Sequence, residues 1–290
     1  MIGFCVDSNA QMPAELVERY GVEVVPLTVT VDDEAFLEGV ELDADAFWAR
    51  FGGGASPAVG TAAPGPGRFV AAYEALAARG ATEILSVHIG SSISATFDAA
   101  RVGSRSSPVP VRLVDTGTAS FAVTCALWEA AEAVARGAGV DEAAHVAGRV
   151  AASTDNVFVV RALDLAAKGG RVGVTAAPAA EAIPVIRLVD GSVQPVAEVR
   201  TTDEAADAMA SAVLAGGWRL RVGISIADPG AASLWEALED RLRDAEEVTD
   251  LVRYRVGPSV GAHTGPGTAG AMWYPTLEEQ PFADEPLRRS

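Results

Sequence analysis

A chain of 290 residues, 49% of them hydrophobic, has material for one large domain or two ordinary ones and a sizeable core. Its formal net charge of −17 excludes a nucleic-acid binder, which needs a basic face, and a protein drawn to an anionic membrane surface. No apolar run approaches the roughly 18 residues that span a bilayer, and the opening Met1 to Asp7 has no basic n-region, so a cytoplasmic location is expected.

Ile2 to Val6 reads as a first strand, ending in the polar Asp7-Ser8-Asn9. Pro13 fits the first turn of a helix reaching about Tyr20. Val22 to Val31 is β-rich, with Pro26 marking an edge or a bend and Asp32-Asp33 a turn. Asp43 is placed to cap a helix holding Phe47, Trp48 and Phe51. Gly52 to Pro57 is a flexible connection, and Thr61-Ala62-Ala63-Pro64 leads into a helix with Phe69, Val70, Tyr73 and Leu76 at helical spacing. Glu83 to His88 is a buried strand. After it Gly90, Ser91, Ser92, Ser94 and Thr96 crowd into seven residues before a helix near Phe97. Val111 to Val114 forms a strand ending in Asp115-Thr116, and helices follow over about 119–135 and 140–151. Cys5 and Cys125 sit in apolar segments and are expected as buried free thiols.

This alternation predicts a Rossmann-like domain over residues 1–155, a mostly parallel sheet with helices on both faces. Its polar loops should meet beyond the carboxyl ends of the strands, where open α/β sheets bind ligands. The second half reads differently. Asn156 to Val160 is a strand, Leu163 to Ala167 a short helix stopped by Gly169-Gly170, and Asp190-Gly191 the turn of a hairpin. Thr202 or Asp203 caps a helix. Leu220 to Ile226 alternates as a strand, Leu234 to Leu242 is helical, and Val252, Tyr254 and Val256 alternate again. Val260 to His263 reads as the end of an apolar strand, and Ala269 to Tyr274 as another. An α+β domain with an antiparallel sheet over residues 156–290 is predicted, with a loose charged tail after Pro275.

The hydroxyl-rich loop is the first candidate site. The leading N–H groups of a helix are unpaired and carry partial positive charge, so a phosphate or carboxylate can sit there, with small hydroxyl residues adding donors. Capping by Ser94 or Thr96 is the competing role. His88, inside a strand, reads as a core residue, and His145 is given no function. His263 enters a Gly-Pro-rich loop and is open between a turn residue and a site residue. No Cys or His pair has ligand spacing and no calcium loop is present, so no metal is expected. A Ser94, His263 and Asp115 triad lacks the Gly-x-Ser-x-Gly elbow. Gly257 to Gly270 is neither a P-loop nor a dinucleotide fingerprint, so no nucleotide cofactor is expected. Lys168, the sole lysine, begins Lys168-Gly169-Gly170-Arg171, which suits a helix C-cap or a basic spot at the mouth of an anion site.

The order and spacing of several segments carry a resemblance. They are Val6 to Ala10, Glu23 to Leu27, Thr61 to Pro64, Glu83 to His88 with Ser91 to Thr96, Val114-Asp115, Lys168 to Val172, Asp190-Gly191, Glu198 to Thr201, and Gly257 to Gly267. Together they resemble the DegV family, including the fatty-acid-binding subunits of bacterial fatty acid kinase. The resemblance implies a long-chain fatty acid in a tunnel between two domains. It implies that Thr61, Ser94 and His263 hold the carboxylate, that Ser91, Ser92 and Thr264 form the supporting loop, and that Thr96 is the helix cap. Arg171 and Arg200 match family arginines near the tunnel mouth, where the fatty acid kinase catalytic subunit would dock and phosphorylate the bound carboxyl. The subunit itself is then not an enzyme and has no cofactor. Ala62 and Ala95 stand where the family more often has Ser and Gly, and Thr202 and Asp203 where it is ordinarily basic. A sixteen-carbon tail, at about 0.8 kcal/mol per buried methylene, gains on the order of 10 kcal/mol before ordering costs. The alternatives are a subunit like the substrate-binding one of dihydroxyacetone kinase, or a binder of another acyl lipid without a kinase partner.

Overall fold

The computed structural model describes residues 1–160, 182–189 and 192–277. In the first half the strands are β1 (Ile2–Asp7), β2 (Glu23–Val25), β3 (Thr28–Val31), β4 (Glu34–Leu37), β5 (Val59–Ala62), β6 (Glu83–His88) and β7 (Val111–Asp115). The helices are α1 (Ala14–Tyr20), α2 (Ala44–Ala49), α3 (Pro66–Ala78), α4 (Thr96–Gly103), α5 (Phe121–Ala135) and α6 (Val140–Ser153). As the alternation predicts, β2-β1-β6-β7 form a parallel sheet in that order. Alternate strand residues face opposite ways. Phe4, Val6, Leu85 and Val87 pack against α5 and α6, whereas Cys5 and Ile84 pack against Phe69, Tyr73 and Leu76 of α3 and Ala100 of α4. Cys5 and Cys125 are free and fully buried, as expected.

Pro26 is the bend. It lacks the N–H that a continuous ladder needs, so β2 ends in the parallel sheet and β3 begins a separate antiparallel one, β4-β3-β5. The sequence reading missed this small sheet, whose third strand lies between the expected connection at Gly52 to Pro57 and the helix after Pro64, where Thr61 was read only as leading into that helix. Asp32 and Asp33 close its hairpin with φ of 49° and 71°, as a two-residue turn requires. Asp43 caps α2, accepting the Ala46 N–H at 2.7 Å.

The second half contributes β8 (Asp155–Val159), β9 (Ile183–Val189), β10 (Ser192–Val199), β11 (Leu220–Ile226), β12 (Val248–Arg255) and β13 (Ala269–Pro275). Its helices are α7 (Thr202–Leu214), α8 (Ala232–Leu242) and α9 (Pro258–Thr264). The sheet order is β10-β9-β8-β13-β11-β12. It is antiparallel except for the β11–β12 pair, which α8 joins as a parallel crossover, so the sheet is mixed. β9 and β10 pair antiparallel as the hairpin reading implies; the Asp190-Gly191 turn lies outside the described residues. The cap of α7 is Thr201, not Thr202 or Asp203. Its side chain accepts the Glu204 N–H at 3.1 Å while the Glu204 carboxylate accepts the Thr201 N–H at 3.3 Å, a reciprocal capping box. Val260 to His263 is helix rather than strand: Pro258 occupies the first helical position and Gly265 ends it at φ 73°. The short helix expected at Leu163 to Ala167 and the charged end of the chain lie outside the described residues.

α5 is shared by the two halves. Val123, Ala126, Leu127 and Ala130 pack on the parallel sheet, and Phe121, Ala122, Cys125 and Trp128 pack with Phe158, Tyr254, Met272 and Tyr274 of the mixed sheet. The Phe121 and Tyr254 rings stack at 4.4 Å, and Gly223 makes room for them, since a Cβ there would lie 2.2 Å from Phe121 Cε1. Glu129, on the same helix, is buried between Arg221 at 2.5 Å and Arg136 at 3.2 Å. Burial works against the Arg221 charge, but Tyr274, Asp250 and Glu129 outweigh it and hold the guanidinium protonated. Among the described residues no helix is long and apolar enough to cross a membrane.

Candidate functional site

The parallel sheet brings three polar strand ends together: Asp7 of β1, His88 of β6 and Asp115 of β7, the last two directly paired. Beneath them runs a buried chain of side chains. Asp7 Oδ2 meets His88 Nδ1 at 3.0 Å, His88 Nε2 meets Ser86 Oγ at 2.6 Å, and Ser86 Oγ meets Tyr73 OH at 3.0 Å. Asp7 also accepts the N–H groups of Asn9 and Ile89. The residue types are those of a hydrolytic triad, yet Asp7, Ser86, His88 and Tyr73 are all fully buried, so no substrate reaches the hydroxyl. This network satisfies buried polar groups and fixes the departure of the loop after β6. His88 is the core residue its strand position implied.

The hydroxyl loop is held from the next strand. Gly90 N–H donates to Thr118 O at 2.8 Å, and the approach is so close that a Cβ on Gly90 would lie 2.7 Å from the Gly117 carbonyl carbon. Asp115 Oδ1 accepts the N–H groups of Ser91 at 3.0 Å and Gly117 at 3.1 Å. Burial pushes its carboxyl up, but the bonds from Ser91 and Gly117 outweigh that and leave it below the usual carboxylate range. Ser91 and Ser92 are exposed, Ser94 half-buried and Thr96 fully buried. Thr96 is not the cap but the first residue of α4. Ser94 Oγ meets Thr96 Oγ1 at 2.9 Å and accepts the Thr96 N–H at 3.3 Å. Ala95 stands at the N-cap, and Ser94, one residue before it, supplies the side-chain acceptor for the Thr96 N–H, so its hydroxyl bonds within its own loop.

Thr61 and His263 arrive from positions 202 residues apart and meet, Oγ1 to Nε2, at 3.4 Å. β5 carries Thr61 opposite Val29 of β3, and α9 carries His263. α9 lies close on α2 because Gly261 has no side chain; a Cβ there would fall 2.6 Å from Trp48 Cζ2 and 2.7 Å from Phe47 Cε1. Both members of the pair are half-buried, so the site is reachable from solvent. Thr264 turns its hydroxyl back to the Val260 carbonyl at 3.4 Å. Arg200 is exposed just before α7, its N–H bonded to Glu204 at 2.8 Å. Arg171 lies outside the described residues. Among those described, no group of three His, Cys, Asp or Glu side chains could hold a metal ion.

A second cluster escaped the sequence reading. Glu38, Gln11, Asn9 and Ser259 form a polar seam where the small sheet, the turn after β1 and α9 converge. Asn9 Oδ1 also accepts the N–H of Ser120 at 2.8 Å, whose φ of 61° and ψ of −148° lie in a region that residues other than glycine seldom enter. Glu38 and Gln11 carry no local signal, because their partners come from distant segments.

The family model described as "Uncharacterised protein, DegV family" matches residues 1–276. The chain belongs to the DegV family. Among relatives of this DegV chain, a DegV domain-containing protein of Streptomyces coelicolor is 38% identical over 282 residues, covering 93% of this chain and 97% of that one. A DegV family protein from Thermus thermophilus, described as binding fatty acid, superposes with a TM-score of 0.78 at 26% identity, over 95% of this chain and 99% of the other. A Thermotoga maritima protein described as revealing fatty acid binding function superposes with a TM-score of 0.79 at 26% identity, over 95% and 99% of the two chains. The mixed α/β architecture of the DegV chain, with its parallel and mixed sheets, is the one these neighbours share.

Proposed function

We propose that this DegV protein binds a long-chain fatty acid in a tunnel between a domain of residues 1–155 and one of residues 156–290. Thr61, Ser94 and His263 hold the carboxylate, with Ser91, Ser92 and Thr264 as the supporting loop. The observation that carries this reading is the Thr61–His263 contact at 3.4 Å, which joins the small sheet to α9 and leaves two polar groups half-exposed at the seam. The fatty acid binding described for the Thermus and Thermotoga neighbours supports it. A carboxylate buried with an apolar tail must keep hydrogen bonds or take up a proton. Hydroxyls and an imidazole serve either form. Ser94 reaches the ligand by giving up its contact with Thr96 Oγ1.

The protein positions the head group and performs no chemistry on it. It needs no cofactor, works in the cytoplasm, and presents the carboxyl to a fatty acid kinase catalytic subunit that docks at Arg171 and Arg200. Mass spectrometry of natively purified protein is expected to reveal a bound fatty acid. Recovery of no lipid, together with no uptake of added palmitate or oleate, sinks the reading. Binding of a small ketone in place of palmitate would move it to the dihydroxyacetone-kinase-like alternative. For the partner, the expected result is acyl phosphate formed only when kinase, ATP and this protein are all present.

A further inference from the structure

Glu38 follows β4 and is 5% exposed, yet no arginine or lysine pairs with it among the described residues. Its Oε1 accepts the Ser259 N–H at 2.8 Å and Gln11 Nε2 at 3.3 Å, and its Oε2 accepts the hydroxyl of Ser8, whose Oγ in turn accepts the Leu27 N–H at 2.9 Å. Gln11 Oε1 accepts the N–H of Gly257, the residue that opens α9. Gly257 has no side chain to cap the helix, so Glu38 and Gln11 satisfy its leading N–H groups from other parts of the fold. Asn9 adds a bond to Ser259 Oγ at 3.3 Å. Four residues past Ser259, on the same short helix, stands His263. A cleft of about 470 Å³, lined in part by Ser8, Gln11, Glu38, Gly257 and Pro258, opens beside the cluster.

We propose that Glu38 is a positioning residue for the head-group site: its carboxylate clamps the first turn of α9 to the turn after β1 and so sets His263 against Thr61. This rests on the fatty-acid reading given above. The clamp joins three segments that share no sequence neighbourhood, and α9, at seven residues, is too short to hold its own place. Burial pushes the Glu38 carboxyl above the usual carboxylate range, while the bonds from Ser8, Ser259 and Gln11 pull it back.

The test compares wild type, E38A, E38Q and T61A for binding of palmitate and of hexadecanol, which has the tail without the carboxylate, alongside the NMR signal of the His263 imidazole. E38A is expected to weaken palmitate about tenfold, the effect of one buried polar group left unsatisfied, with hexadecanol unchanged and the His263 signal shifted. E38Q keeps an oxygen for the Ser259 N–H and is expected within about threefold of wild type. Unchanged palmitate binding and an unmoved His263 signal in E38A overturn the proposal, as does an equal loss for palmitate and hexadecanol. If T61A weakens palmitate and E38A does not, only the positioning role fails; if T61A changes nothing, the head-group reading itself fails. Should E38A not fold, G257A presses a Cβ to 2.7 Å from Gln11 Oε1 and 3.0 Å from Glu38 Oε1, and the same palmitate-selective loss is expected.

Discussion

His88 and His263 are the same residue in two settings. The first is fully buried with Asp7 on one nitrogen and Ser86 on the other. The second is half-exposed, and its Nε2 meets the Thr61 hydroxyl across a join between segments. The Asp7–His88–Ser86 line has the look of a catalytic triad and none of the access. The Thr61–His263 pair has the access that the buried line lacks. Site character here follows from exposure and the origin of the partners, not from residue identity.

The contrast breaks most visibly at Asp7. Asp7→Ala strands three donors in the core and is expected to cost about 3–5 kcal/mol in urea unfolding, with the ligand affinity of the folded fraction little changed. A large loss of affinity at full stability would place the buried line in the site. Gly90→Ala, whose new Cβ meets Gly117 backbone at 2.7 Å, should cost about 1–3 kcal/mol and also weaken palmitate by displacing the hydroxyl loop. Thr61→Ala combined with Ser94→Ala inverts the pattern: affinity falls about tenfold while stability moves by about 1 kcal/mol, mostly from the lost bond to the Thr96 N–H. Unchanged palmitate affinity in that pair refutes the head-group assignment.

The smallest effect is in pH. Asp115 is held below the ordinary carboxylate range, so its contribution is present above that range and fades as pH falls through its lowered value. Glu38 has the opposite sign. Its carboxyl is raised, so the stability linked to it is full below the ordinary range and is lost as pH rises through its folded value. Thermal unfolding of Asp115→Asn and Glu38→Gln across acidic pH should therefore diverge from wild type in opposite directions.

Much of the fold was legible because its signals are local. β1 and β6 are apolar runs ending in polar turns, α3 shows helical spacing, and Pro26 announces the bend. What was missed depends on distant contacts. β5 is four residues long and becomes a strand only against β3. α9 read as strand because a short apolar segment has no periodicity to separate the two, and Pro258 with Gly265 was the signal that could have decided it. Of the candidate site, His263 was open between a turn and a site role on its own residues, Thr61 came from the resemblance, and the structure joins them. Ser94 was identified both as a carboxylate donor and as a capping candidate, and its bond to the Thr96 N–H shows the local role its hydroxyl takes. Glu38 could not be found in one dimension, since its partner Ser259 lies 221 positions away.

The two cysteines close a different account. Cys5 lies in the middle of β1 and Cys125 on the stretch of α5 facing the mixed sheet, and neither exposes any surface. Burial pushes the Cys5 thiol up to about 12 and raises Cys125 further, so neither forms a thiolate at neutral pH while the chain is folded. Each is thus a chemical clock. A thiol reagent reaches Cys5 once α3 and α4 lift from the parallel sheet, and Cys125 once α5 separates from the mixed sheet. The order in which the two are alkylated records which of these two contacts lets go first.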